Sequence, residues 1–223
     1  MQPRTLLNKS LKEIQDEVLI MGSMVEKALG LAMDSMKNRD LELAEKIISD
    51  DDKVDKKRAL IEEKCIQLIA TQQPMATDLR FIVAVLNIII DLERIADYAE
   101  GIARITIMIG DEPPLKPLID LPRMTEKTQD MLHRALDSFV RRDTNLARQI
   151  CKEDDEVDNL YKQVFNELLF FMISDPRTVN RATRLIWAAH NLERSADRVT
   201  NICERVVYIV TGKTEELGAS KDG

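Results

Sequence analysis

Apolar residues recur every three or four positions along most of the chain, as in the opening segment, where Leu7, Leu11, Ile14 and Val18 alternate with charged side chains. That period belongs to amphipathic helices. It predicts six of them, over residues 5–38, 40–71, 76–109, 123–141, 144–173 and 178–211. Prolines mark the joints, because a proline inside a helix loses a hydrogen bond and clashes with the preceding turn. Pro3 stands before the first predicted helix, Pro74 and Pro176 interrupt each half once, and Pro113, Pro114, Pro117 and Pro122 cluster between the halves. The most apolar run, Phe81 to Ile90, is about half of the ~20 residues a membrane span needs. Asp78, Arg80, Asp91 and Glu93 flank it, so it reads as a buried helix.

The pattern repeats. Residues 34–55 align with 137–158 at an offset of 103, and 11 of the 22 positions are identical: Asp34, Ser35, Arg39, Asp40, Leu43, Ala44, Ile47, Asp51, Asp52, Val54 and Asp55. The third helices match as well, "DLERIAD" with "NLERSAD", at an offset of 100. The turn before the third helix is therefore three residues shorter in the second half. The expected fold is all-α, two tandem three-helix bundles. Residues 1–112 form the first repeat, 113–122 a proline-rich linker, 123–212 the second repeat, and 213–223 a disordered tail.

Composition agrees with long helices: seven Gly and seven Pro in 223 residues, 4% aromatic and 32% charged. A formal charge of -7 argues against a nucleic-acid backbone as partner. Cys65, Cys151 and Cys203 have no close spacing and read as reduced core thiols in a cytosolic protein. The first residues lack the order of a secretory signal. The "GKT" at 212–214 lacks the upstream glycine of a phosphate-binding loop.

Carboxylates form the candidate chemistry. Glu93 with Asp97, and Glu193 with Asp197, stand four apart and so share a helix face. Asp51 with Asp55, and Asp154 with Asp158, do the same on the preceding helices. In an antiparallel hairpin turning at Pro74, Asp55 is level with Glu93 and Asp51 with Asp97. The second half restores the coincidence about a turn between Asp175 and Pro176. Four gathered carboxylates repel unless a cation neutralises them, and an oxygen-only set suits a hard ion. Magnesium, manganese, calcium and iron fit better than zinc. The opposing reading leaves the aspartates in solvent and pairs Glu93 and Glu193 with Arg94 or Arg194.

Peripheral candidates are Asp52 and Asp155 beside the acidic pairs, Asn201 one turn beyond Asp197, and His190 three residues before Glu193. The simplest role for His190 is that of a satisfied buried histidine, and for Trp187 core packing. Asp50 and its counterpart Glu153 read as exposed. Met21, Met24, Met33 and Met36 suggest an adaptable self-association face.

With an acidic DxxxD on the middle helix and LERxAD on the third, each given twice, the chain resembles the PhoU family of phosphate-specific transport system accessory proteins over roughly 5–211. The resemblance implies a cytoplasmic homodimer that turns over no substrate and binds multinuclear metal through Asp51, Asp55, Glu93, Asp97, Asp154, Asp158, Glu193 and Asp197. It further implies negative regulation of the phosphate regulon, between the nucleotide-binding subunit of the phosphate ABC transporter and a sensor histidine kinase, with recruitment to the inner face of the membrane. Ala96 and Ala196 replace a glycine common in the family before the motif aspartate. The alternatives are a carboxylate-bridged di-iron oxidase of ferritin-like type and a metal-free structural bundle. The oxidase wants Glu-x-x-His on two helices. Neither His133 nor His190 follows a Glu by three.

Overall fold

The computed structural model describes residues 3–217. Among these, six α-helices follow in order: α1 (Pro3–Asn38), α2 (Leu41–Gln72), α3 (Thr77–Ile109), α4 (Asp120–Arg141), α5 (Thr144–Ser174) and α6 (Val179–Thr211), with a 3-10 turn, Pro176–Thr178, before the last. α1 includes Pro3 and α4 begins three residues before its expected start, so Pro122 lies inside a helix instead of closing a linker. A proline costs nothing in a first turn, where its missing N–H would have no intrahelical partner.

The repeated residues separate by task. Arg39 and Arg142 adopt left-handed backbone conformations, φ 56° and 54°, that end α1 and α4. Asp40 and Asp143 then cap the next helices, accepting hydrogen bonds from the backbone N–H groups of Leu43 and Leu146 at 2.9 and 3.1 Å. Buried Ser35 and Ser138 donate back to the carbonyls of Ala32 and Ala135, and their own carbonyls accept from Asp40 and Asp143. Ala44, Ile47 and Val54 are core residues, as are Ala147, Ile150 and Val157. One set of identities thus builds the turn and another fills the bundle, which leaves Asp51 and Asp55 for chemistry.

Each half packs as a three-helix bundle, and the halves share one hydrophobic core. α3 lies antiparallel on α6, with Asp91 beside Asn201 and Gly101 beside Asn191. α1 packs on α4, where the Gln129 amide donates to the Glu26 carbonyl at 2.9 Å. Phe81 of α3 stacks on Phe139 of α4, ring centroids 5.6 Å apart. The apolar run of α3 fills the centre: Ile82, Ile88, Ile89, Leu92 and Ile95 are buried, each contributing about 1.5–3 kcal/mol. Among the described residues no helix is long and apolar enough to cross a membrane. The three cysteines are free and buried.

Other expectations need correction. Met21, Met33 and Met36 are buried, because α2, α3 and α4 cover that side of α1, and Met24 is partly buried beside α2. The linker is fastened down. Leu115 and Leu118 pack on the core, Lys116 bridges Asp120 and Glu167, and Arg181 donates to the Pro113 carbonyl at 3.3 Å. The start of the expected disordered tail is docked too. Arg148 pairs with Glu215 at 2.9 Å, and the Leu217 N–H donates to Glu204 at 2.8 Å. Residues 218–223 lie outside the described residues.

Candidate functional site

The α2–α3 hairpin brings together the four acids that the sequence sets level. Asp51 experiences the charges of Asp55, Glu93 and Asp97, and of Glu100 as well. Its pKa is raised to about 6, first by burial and then by these neighbours. Burial also raises Glu93, with Asp97 and Asp55 adding to the effect. Arginines offset part of the charge: Arg94 reaches Asp97 at 2.9 Å and Glu93 at 3.7 Å, and Arg58 stands 4.0 Å from Glu93. Asp55 is exposed, at the outer edge of the group.

The α5–α6 hairpin repeats the arrangement in drier surroundings. Asp154 is 7% exposed, and its Oδ1 has no hydrogen-bond partner. Burial, then Asp197, Asp158, Glu193 and Asp155, raise its pKa to about 7. Glu193 also rises to about 7, by burial and then by Asp197, and its Oε2 lacks a hydrogen-bond partner. Asp158 and Asp197 are raised for the same leading reason. Arg194 pairs with Asp197 at 2.8 Å. Ala96 and Ala196, the departures from the family glycine, are buried.

All eight ligand candidates therefore fall into two acidic groups, one per hairpin, and Asp55 acts on Glu93 as Asp158 does on Glu193. The oxygen-only donor set and the orphaned Oδ1 of Asp154 fit a hard cation. Among the described residues, however, no three Asp, Glu, His or Cys side chains stand close enough to hold one ion as they are placed. Side-chain rotation, including release of Asp97 and Asp197 by their arginines, would have to accompany binding.

The peripheral candidates divide. Asp155 is exposed but acts on Asp154, and Asp52 is exposed. His190 is a correction: its side chain is 54% exposed, 3.4 Å from Glu193 and against Tyr161. Trp187, 52% exposed, is not core packing. Both lie on the outer face of α6, one and two turns before Glu193. Asn201 turns away from the acids and donates to Asp91 at 3.1 Å. Glu153, read as exposed, is 17% exposed and pairs with Lys127 and Arg134.

Two acids escape the sequence reading. Glu100 joins the first group three residues after Asp97, a helical spacing that could have flagged it, but its counterpart is Thr200 and the repeat hides it. Asp91 is 8% exposed at the seam between α3 and α6, and only its position at the end of an isoleucine run hinted at burial.

Known proteins agree with this doubled architecture. The family model described as the PhoU domain matches twice, over 18–106 and 121–206. A phosphate-specific transport system accessory protein PhoU homolog of Clostridium acetobutylicum is 40% identical over 215 residues, covering 96% of this chain and 98% of its own. The PhoU of Escherichia coli K12 is 36% identical, with 92% and 86% covered. The crystal structure of PhoU from Pseudomonas aeruginosa superposes with a TM-score of 0.88 at 35% identity, over 92% of this chain and 99% of that one. The phosphate transport system regulatory protein PhoU from Streptococcus pneumoniae gives the same TM-score at 28% identity, over 95% and 100%. With both halves matched, and with relatives aligned over nearly their whole length, this chain belongs to the PhoU family.

Proposed function

We propose that this chain is a non-catalytic accessory regulator of a phosphate-specific transport system whose shape is set by metal bound at its two carboxylate groups. The curated relatives bear that accessory role in their names. The observation that carries the metal reading is the duplicated acidic site, with an unpartnered oxygen on Asp154 and, on Glu193, an oxygen without a hydrogen bond whose near neighbour is His190 at 3.4 Å. Asp51, Asp55, Glu93 and Asp97 would hold one centre, and Asp154, Asp158, Glu193 and Asp197 the other, with Asp52, Asp155 and His190 at the rims. Iron, manganese, magnesium, calcium or zinc would supply positive charge that these clustered carboxylates otherwise lack.

The protein's own residues do the rest. Carboxylates from two helices facing one charge clamp α2 to α3 and α5 to α6, and the shared core carries that rigidity between the halves. Binding to the folded state alone stabilises it by mass action. In the fuller form of this reading the chain is a cytoplasmic homodimer, recruited to the inner face of the membrane by its partners. It passes the transport state from the nucleotide-binding subunit of a phosphate ABC transporter to a sensor histidine kinase, and so represses the phosphate regulon.

The ion pairs Arg94–Asp97 and Arg194–Asp197 favour one rival, a metal-free bundle neutralised by its own arginines. Elemental analysis of protein purified without chelator separates the two. Metal should be present in the wild type and absent from an E93A/D97A/E193A/D197A variant. Capture of the nucleotide-binding subunit should weaken when the wild type is chelated. Metal retained by the quadruple variant, or capture indifferent to chelation, would overturn the reading.

A further inference from the structure

The two halves differ where their repeat would make them alike, in the groove between the first and second helix of each bundle. In the second half an ion network closes the groove at this height, and the hollow of about 520 Å³ in that groove lies to one side of it, beside Arg123, Asn159 and Leu160. Glu153 of α5 accepts two hydrogen bonds from Arg134 and one from Lys127, all at 2.8 Å, and Met131 is buried beneath them. At the offset of 103, Lys127, Met131 and Arg134 correspond to Met24, Ala28 and Leu31, and Glu153 to Asp50. The plug is thus replaced by smaller or apolar side chains, and a cavity of about 390 Å³ opens there.

Its walls are apolar: Met24, Ala28, Leu31, Leu43, Ile47 and Val54. Its rim is basic: Lys27, Lys46 and Lys53. The equivalent rim positions in the second half are Asp130, Gln149 and Glu156, so the sign of the rim is reversed. Lys53 is engaged by Asp50 at 2.6 Å, whereas Lys27 and Lys46 have no ion pair among the described residues. Asp51 and Ala96 close the inner end. A cation-rimmed, apolar hollow in a chain of net charge -7 selects a ligand that is oily at one end and anionic at the other. The volume suits one ring system or a short acyl chain rather than a helix.

We propose that the α1–α2 groove of the first half is a binding site for a small amphipathic anion, an aromatic or acyl body carrying a phosphate or carboxylate, with the body against Met24, Leu31 and Ile47 and the anion at Lys27 and Lys46. The site borders the first carboxylate group, because Asp51 lines its inner end, but none of the residues assigned to the ligand's body or head is a candidate metal ligand. The lysines stand at the rim and the apolar side chains within, so the anionic head faces outward.

Titration of the full chain with 8-anilino-1-naphthalenesulfonate tests it, with 1-naphthyl phosphate and decanoate as competitors. Wild type should bind one probe per chain, displaced by both competitors. Lys27→Asp with Lys46→Gln, which copies the second-half rim on exposed positions, should weaken binding about tenfold or more. The plug graft Met24→Lys, Ala28→Met, Leu31→Arg and Asp50→Glu should abolish it; circular dichroism checks its folding, and if the graft unfolds the rim pair decides alone. Unchanged binding by the rim pair, no saturable site, or several equivalent sites would overturn the proposal. So would displacement only by an acidic amphipathic peptide, or loss of binding as protein concentration rises, since these would give the groove to a protein partner or a second copy.

Discussion

Asn201 on α6 donates its side-chain amide to Oδ1 of Asp91 on α3, 3.1 Å across the seam between the two halves. Arg198 approaches the same oxygen at 3.5 Å. The repeat places Asn191 and Gly101 at the matching point, where a Cβ on Gly101 would stand 2.7 Å from the Asn191 amide. One side of the seam therefore carries a buried charge and the other an amide packed on bare backbone. Asp91→Ala leaves Arg198 and Asn201 without an acceptor and should cost about 2–4 kcal/mol, while Asp91→Asn keeps an oxygen for them and should cost about half as much. Urea unfolding of the two variants gives the comparison.

The acidic groups make stability depend on pH in an unusual direction. Asp154 and Glu193 titrate near 7 and Asp51 near 6 in the folded chain, against about 4 when unfolded. Raised carboxyl groups lend full stability below their unfolded pKa and lose it as pH rises through the folded value. Chelated protein should therefore melt at a lower temperature at about pH 8 than at about pH 5, with a loss on the order of 2 kcal/mol shared among coupled groups. Asp154→Asn should flatten that slope. Differential scanning calorimetry at fixed ionic strength measures it, and equal melting at both pH values would contradict the clustering.

Glu153 has the opposite sign. Hydrogen bonds from Arg134, aided by Lys127 and opposed by burial, hold its pKa at about 2. Its contribution is present above the unfolded value near 4 and is lost as pH falls toward 2. Arg134→Ala should cost about 1–3 kcal/mol and move the acid unfolding midpoint to higher pH. Acid titration followed by far-ultraviolet circular dichroism reads the shift.

Trp187 is the single tryptophan of the chain and is half exposed, two turns before Glu193. Its fluorescence should be red-shifted and readily quenched by acrylamide. Metal addition should alter the emission of the wild type more than that of a Glu193→Ala variant. Blue-shifted, protected emission would mean that α6 presents a different face.

Gly22 lets α1 approach α4 closely, because an added Cβ would run into the Leu136 side chain. Gly22→Ala should destabilise by about 1–3 kcal/mol through overpacking, and Leu136→Val in the same chain should recover part of that loss. A double-mutant cycle in urea separates the contact from helix propensity.

Much of this molecule is local in origin and was therefore legible before folding. The 3.6-residue period places all six helices. The repeat pairs Arg39 with Arg142 and Asp40 with Asp143 because each hairpin needs the same chain reversal and cap. The hairpin symmetry about Pro74 brings Asp51 and Asp55 level with Glu93 and Asp97 because a rigid helix converts sequence distance into height. Helix ends shifted where proline is harmless, at Pro122.

What the linear pattern missed depends on how the two halves meet and on which positions each neighbour covers. Nothing about Met24, Leu31, Arg134 or Glu153 taken singly says that one groove is plugged at that height and its twin open there. Glu153 gave the appearance of a surface acid until α4 supplied Lys127 and Arg134.

Periodicity and repetition thus determined the helices, the duplicated bundle and the grouping of the eight acids, since these follow from geometry within one hairpin. Tertiary packing alone decided the burial of Asp91, the exposure of Trp187 and His190, the inward turn of the methionines and the asymmetry of the two grooves. Each of those outcomes depends on side chains that other helices supply, whose positions are fixed only when the helices pack on one another.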